Sequence, residues 1–362
     1  MDTSLLAPDP ARIDPAWMTH ALAAAGVIGD AKVTEVVRTP VGNGLVGDSF
    51  RFVLTYDRAA PTAPRSVVGK FPAADPASRK SGSDHLLYLR EVSFYRELAA
   101  TIAIHTPRAL VAEIDPATDD FTLIFEDLGP ARQGDQLAGC SIEDARVAMV
   151  EAAALHAPRW GDPALPVLDW LSVKPAERQP QIMAALPFII HLFKERYLDL
   201  LPPEHMALVE RLPGALTRMG ETRDTTLTVV HGDYRLDNIL FDVQGGKRPM
   251  ATLDWQTVTV GPGVGDVAYF LSAGVDPETR RANEAELVGV YHDELLRRGV
   301  TGYDRETCWR DYRRYTLNGI MMGVFSALAV ERTERGDALF LKMTSGACQQ
   351  AIDLDSFAFW ED

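Results

Sequence analysis

Residues 225–255, TTLTVVHGDYRLDNILFDVQGGKRPMATLDW, decide how this chain is read. Short apolar runs bounded by turn residues predict a strand over 225–230, a polar loop over 231–238, and a strand over 239–241. A turn at Gly245-Gly246 and a strand over 250–253 follow. If 244–247 reverse the chain between Phe241 and Met250, paired residue numbers sum to about 491, which sets Asp254 across from Asp237 and beside Asn238. Asp233, Asn238 and Asp254 are then expected at one end of a short sheet, where backbone pairing fixes their separation. Two carboxylates and an amide carbonyl are hard oxygen donors suited to Mg²⁺, which keeps waters and takes further ligands from nucleotide phosphates. A spare carboxylate in such a cluster can orient and deprotonate an attacking hydroxyl.

HGDYRLDNIL at 231–240, followed by LDW at 253–255, resembles the catalytic loop and metal-binding segment of the aminoglycoside phosphotransferase and choline-kinase-like superfamily, which has a protein-kinase-like fold. The resemblance implies an ATP-dependent kinase with Asp233 as catalytic base, Asn238 and Asp254 as Mg²⁺ ligands and His231 as a support for the loop.

A kinase makes demands upstream, and the sequence can be tested against them. Gly42, Gly44 and Gly47 form G-x-G-x-x-G, which also marks dinucleotide-binding folds. There a helix follows the glycines, whereas here Phe50, Phe52, Leu54 and Tyr56 alternate as a strand, the context of a phosphate-covering loop. Lys70 ends the run 66–69, at the position of the kinase lysine that pairs the nucleotide phosphates, and it calls for a carboxylate partner. Glu91, on a helix predicted over 84–100, fits that partner better than Glu97, which lies near the helix end. FTLIFEDLG at 121–129 resembles the hinge that receives adenine through backbone groups, which places Glu126 and Leu128 near the base.

The chain therefore reads as an α+β protein of two lobes. A small β-rich nucleotide-binding lobe with a leading helix covers 1–126, a link covers 127–140, and a larger, mainly helical lobe with a short β-hairpin catalytic core covers 141–362. Asp14, Pro15 and Gly26 bracket the leading helix, and Ser141 with Asp144 opens the helix that runs to His156. Further helical periodicity fills 180–220, 282–299 and 306–352. Downstream, G-x-x-D-x-A-Y at 263–269 also matches the superfamily. Asp266 is expected to accept backbone amides of the catalytic loop, His156 and Trp160 to pack, and Asp135 to close an Asx turn.

Composition narrows the partners. With 51 acidic against 36 basic residues, a net charge of −15 argues against a nucleic-acid ligand. Cys140, Cys308 and Cys348 are far apart with no C-x-x-C pair, so no disulfide framework or cysteine-ligated zinc is expected. The uncharged stretch 315–330 contains Asn318 and is shorter than the ~18 to 20 apolar residues of a membrane span. With no signal-like N-terminus, a cytoplasmic location is expected.

The acceptor is expected to be a small-molecule hydroxyl of one of three classes. Aminoglycoside kinases commonly continue HGD with Leu, His and Pro, where this chain has Tyr234, Arg235 and Leu236. Its Arg-Leu-Asp-Asn form resembles kinase-like domains linked to hydroxyacyl-CoA metabolism. Asp-Trp-Gln at 254–256 resembles the ecdysteroid-kinase-like branch, whose acceptors are lipophilic alcohols. The competing reading from another class is a catalytically silent nucleotide-binding or scaffold protein of the same fold.

Overall fold

The computed structural model describes residues 5–42, 46–59, 61–171, 175–221, 224–329 and 332–361. It resolves into a smaller unit, Met1–Ala100, Thr106–Pro130 and Leu253–Thr257, and a larger one, Thr101–His105, Ala131–Thr252 and Val258–Asp362.

In the smaller unit, Asp14 caps α1 (Pro15–Ala24) by accepting from Trp17 N, with Pro15 in the first turn. Strands β1 (Val33–Pro40), β2 (Gly47–Tyr56) and β3 (Ser66–Pro72) follow. After α2 (Pro76–Asp84) and α3 (Leu87–Ser93) come β4 (Ala109–Asp115) and β5 (Asp120–Glu126). The strands form one antiparallel sheet in the order β1-β2-β3-β5-β4. The alternation expected in β2 sorts its faces: Phe52 and Leu54 join Val67, Phe71 and Ile124 in a core with Met18 and Leu22 of α1. On the other face, Tyr88 and Val92 of α3 cover Phe121, Leu123 and Phe125. The β1–β3 part of that second face carries Lys70 and Val68, with Val53 and Val37 about half exposed.

The single helix expected over 84–100 is broken. Asp75 and Pro76 start a helix earlier, and the chain then kinks at Leu86, whose φ is 57°. Past α3 it widens into a π turn over Phe94–Leu98. That extra residue per turn re-phases the side chains, so Phe94 stacks on Trp255 at 3.9 Å and 8° while Glu91 faces Lys70.

The larger unit adds β6 (Arg132–Gln133), α4 (Ile142–His156), α5 (Pro175–Tyr197), α6 (Pro203–Glu221), β7 (Thr228–Val230) and β8 (Ile239–Asp242). A tight turn α7 (Val243–Gly246) with Gln244 and Gly245 at positive φ, β9 (Arg248–Thr252), β10 (Thr259–Gly261) and helices α8 (Val264–Gly274), α9 (Pro277–Arg297), α10 (Arg305–Arg314), α11 (Leu317–Ala329) and α12 (Glu334–Asp353) complete it. The hairpin has the expected register, with Ile239 opposite Thr252 and Phe241 opposite Met250. Two short strands were not legible: β6 lies beside β8, and β10 pairs with β7. The strand expected from 225 begins at Thr228, because Asp224 and Thr225 instead bind Arg314 and Tyr315. Apolar faces of α5, α6, α11 and α12 pack Phe193, Val209, Leu212, Ile320 and Met343 into one core. Helix α8 is buried along its whole length.

Candidate functional site

Two polar constellations stand out, one in each unit. In the smaller unit, strand β3 holds Lys70 so that its Nζ lies 2.6 Å from Glu91 Oε2 and 2.8 Å from Asp254 Oδ1. Their side chains are 13%, 2% and 30% exposed. Burial alone would lower the lysine, but the carboxylates of Asp254 and Glu91 outweigh it and hold the ammonium above its ordinary range. Glu91 moves the other way for an acid. Burial, reinforced by the charge of Asp254 and opposed by Lys70, pushes it up to about 7. One cation between two carboxylates cannot satisfy both, and the deeper of the two bears the cost. Asp254 itself takes a left-handed φ of 62°, a conformation Asp tolerates better than most residues. The next residue, Trp255, is fully buried against Phe94 and donates from Nε1 to Thr106 Oγ1 at 2.8 Å.

In the larger unit the loop before β8 is tied down almost atom by atom. Asp266, the second residue after Val264 at the start of α8, is buried. It accepts from His231 N at 2.7 Å, from Gly232 N at 3.1 Å, and lies 3.2 Å from His156 Nε2. Its expected scaffold role is therefore what the hydrogen bonds display. His231 Nδ1 accepts from Asp233 N at 3.2 Å, which puts the ring proton on Nε2. The fully buried Tyr234 donates to Ala148 O of α4.

The Asp233 carboxylate receives three donors: Arg235 Nε at 3.0 and 3.1 Å to its two oxygens, Tyr269 Oη at 2.8 Å, and Asn238 Nδ2 at 2.9 Å. Burial would raise this acid, but the charge of Arg235 and the hydrogen bonds from the Tyr269 hydroxyl and Arg235 outweigh burial and hold it below the usual carboxylate range. Tyr269 is driven well above its ordinary value by burial and by Asp233, so it remains a donor. Arg235 also reaches Asp237 Oδ2 at 2.7 Å. Asp237 Oδ1 accepts from Gln136 N, while Gln136 Oε1 accepts from Leu236 N, a reciprocal pair that backs the loop with the 133–137 segment. That segment passes so close that a Cβ on Gly134 would lie 2.3 Å from Leu236 O. Asp135 makes the expected Asx turn, accepting from Leu137 N.

The expected residues thus fall into two groups. Lys70, Glu91 and Asp254 meet in the smaller unit, and Asp233 and Asn238 in the larger. Gly42, with φ 75°, and Gly47, opening β2, flank the glycine-rich turn, whereas Gly44 lies outside the described residues. Glu126 ends β5, with its N–H donating to Arg108 O, and Leu128 is buried. Arg235, Asp237, Tyr269 and Gln136 received no role from sequence. Tyr269 sits inside the G-x-x-D-x-A-Y pattern, and Arg235 opens the Arg-Leu-Asp-Asn form that departs from the aminoglycoside kinases.

Among the described residues no group of three His, Cys, Asp or Glu is placed to hold a metal alone. Taken singly, the donors have the chemistry Mg²⁺ accepts: in the larger unit Asn238 turns Nδ2 to Asp233 O and Oδ2, which leaves its Oδ1 as an oxygen donor, and in the smaller unit Asp254 has one carboxylate oxygen beyond the one on Lys70. No helix among the described residues is long and apolar enough to cross a membrane.

Comparisons with known proteins bear on the same segments. Residues 189–299 match the model of the Ecdysteroid kinase-like family. Mouse acyl-CoA dehydrogenase family member 10 is 40% identical over 135 residues, 34% of this chain and only 12% of that protein's length. Among solved structures, Plasmodium vivax ethanolamine kinase superposes with a TM-score of 0.53 at 10% identity, covering 91% of this chain and 86% of that one. Choline kinase from Cryptosporidium parvum gives 0.53 at 11%, covering 95% and 94%. The GDP complex of wild-type aminoglycoside 2′-phosphotransferase-IIIa gives 0.50 at 14%, covering 94% and 100%. The fold is thus the one seen in these kinase structures, and residues 189–299 resemble the Ecdysteroid kinase-like family.

Proposed function

We propose that this protein is a cytoplasmic ATP-dependent phosphotransferase that moves the γ-phosphoryl group of Mg–ATP to a hydroxyl of a small molecule. The observation that carries the reading is the trio of Lys70, Glu91 and Asp254. Residues 21 and 184 positions from the lysine converge on one buried ammonium, an arrangement with an electrostatic cost that a bound polyphosphate and cation would offset. Val68, two residues before Lys70 on the same sheet face, is an apolar ceiling for a planar base, with Val53 and Val37 farther along that face and backbone groups of Glu126 and Leu128 at its edge.

In this reading Lys70 steadies the nucleotide phosphates and Glu91 aims Lys70. Asn238 and Asp254 hold Mg²⁺, which when bound neutralises charge on the transferred group. Asp233 orients the acceptor hydroxyl and accepts its proton as the oxygen attacks. Held below the usual carboxylate range, it is a weak base whose main contribution is to aim the hydroxyl. Tyr269, Arg235 and Asn238 fix that carboxylate in one orientation.

Aminoglycosides, lipophilic alcohols and hydroxyacyl-CoA esters are the three acceptor classes of this reading; the local likeness to a protein named for acyl-CoA chemistry supports the CoA esters, and the family-model match over 189–299 supports the lipophilic alcohols. A silent scaffold of this fold would have no use for the complete set of Lys70, Asp233, Asn238 and Asp254. The test is calorimetric titration of ATP with and without Mg²⁺, then a phosphate-transfer screen across the three classes. Magnesium-dependent binding and transfer to one class are expected. Asp233→Ala should end turnover with Mg–ATP affinity within several-fold, and Asp254→Ala should weaken nucleotide binding only when Mg²⁺ is present. A wild-type protein that binds no nucleotide would overturn the reading.

A further inference from the structure

Between Glu126 and Leu128, the two residues given to the base, stands a carboxylate with more hydrogen bonds than a loop residue needs. Asp127 Oδ2 accepts from Arg51 Nε at 2.6 Å and from Ser66 Oγ at 2.7 Å; Oδ1 accepts from Arg51 Nη2 at 3.1 Å and from Gly129 N at 2.9 Å. The donors come from β2, from β3 and from the loop itself, and the Asp127 side chain is only 11% exposed. By register Arg51 pairs with Val68 and Ser66 with Val53, so both donors stand on the sheet face that carries Lys70. The fit is close: a Cβ on Gly129 would lie 3.2 Å from Asp127 Oδ1 and 3.5 Å from Arg51 Nη2. The strand ladder stops at Glu126, whose own N–H and carboxylate are both engaged with Arg108. Past that point no ladder bond among the described residues of the sheet holds the backbone, and the Asp127 side chain takes over.

We infer that Asp127 is a positioning residue for nucleotide recognition, a clamp that locks the 126–129 backbone to β2 and β3 so that the base meets preformed partners. The inference rests on the proposed nucleotide site. It predicts a division of labour: Lys70 and the glycine-rich turn act on phosphates, whereas the Asp127 clamp acts on the base alone. An ordered loop does not have to be frozen when the ligand arrives, so losing the clamp should lower affinity for every ligand that carries the base and for none that lacks it.

The experiment uses the full chain and three probes: ATP, adenosine and inorganic tripolyphosphate. Asp127→Ala is expected to weaken ATP and adenosine by the same factor, about tenfold, and to leave tripolyphosphate within twofold. KM for ATP should rise with kcat nearly unchanged. Ser66→Ala and Arg51→Gln each remove part of the clamp without touching the loop backbone; smaller losses in the same pattern are expected, and Asp127→Asn should recover part of the affinity lost in Asp127→Ala. Thermal unfolding of each variant separates folding from binding. Unchanged adenosine affinity in folded Ser66→Ala, Arg51→Gln and Asp127→Ala would overturn the clamp while the kinase reading stands. Equal losses for adenosine and tripolyphosphate would also overturn it, as the mark of general loosening. Wild-type protein that binds none of the probes would remove both.

Discussion

Replacing Glu91 by Gln is the sharpest test of the buried trio. Gln keeps the shape of Glu91 and an acceptor for Lys70 Nζ at 2.6 Å, and removes only charge. The bond keeps its charged Lys70 donor, Lys70 keeps Asp254 at 2.8 Å, and the penalty of burying the glutamate charge disappears. Because burial holds the Glu91 carboxyl above its ordinary range, the neutral Gln variant should be no less stable than wild type near neutral pH.

The pH dependence has a definite sign. Glu91 is pushed up to about 7 in the folded protein, above the ordinary range of an unfolded glutamate. Between those two values the folded state binds more protons, so this group makes wild-type stability fall as pH rises toward 7, with no further change above it. The Gln variant lacks that slope. Function behaves differently: with Glu91 neutral, Lys70 is drawn to Asp254 alone and Mg–ATP affinity should drop about tenfold. Urea unfolding over this pH window, paired with ATP titration, reads both effects. Identical pH slopes in the two proteins, or a variant less stable by more than about 3 kcal/mol, would refute the reasoning.

Arg235→Gln removes the strongest influence holding Asp233 down, so the acid limb of the pH–rate profile should move to higher pH; a limb that stays in place would mean Arg235 does not set the carboxylate's ionisation. Tyr269→Phe takes one donor from Asp233 and should shift that limb in the same direction by less, at a cost to stability of about 1–2 kcal/mol, measured by denaturant unfolding. Asp266→Ala strips the acceptor from two backbone amides and from buried His156, and should destabilise the larger unit by about 2–4 kcal/mol with turnover lost through the loop; near-normal melting would contradict its scaffold role.

Much of the site was legible because its residues are close in sequence or obey a strict period. The hairpin register followed from one turn and period-two alternation, and Glu91 from the helical face on which it lies. Asp266 was legible from its place in a pattern. Long helices with polar caps, such as α4 and its Ser141, were also readable. The π turn was not, because a helical stretch carries no local signal for one extra residue; the packing of Phe94 on Trp255 imposes it. The two-residue strand β6 was invisible for a like reason, since its pairing partner lies more than a hundred positions along the chain.

What the sequence determined by itself was an inventory and a spacing: a glycine-rich turn before a strand, a lysine two strands on, D-x-x-x-x-N in a loop, and an aspartate after a hairpin. These are short-range facts set by periodicity and turn chemistry. The Lys70–Glu91 pair was legible too, but only the tertiary structure decided the remaining charge pairings. Asp254 joins Glu91 on Lys70, Arg235 bridges Asp233 and Asp237, and Asp127 draws on Arg51 and Ser66. Pairing of buried charges depends on which side chains share one low-dielectric space, and that is set by sheet order and helix packing.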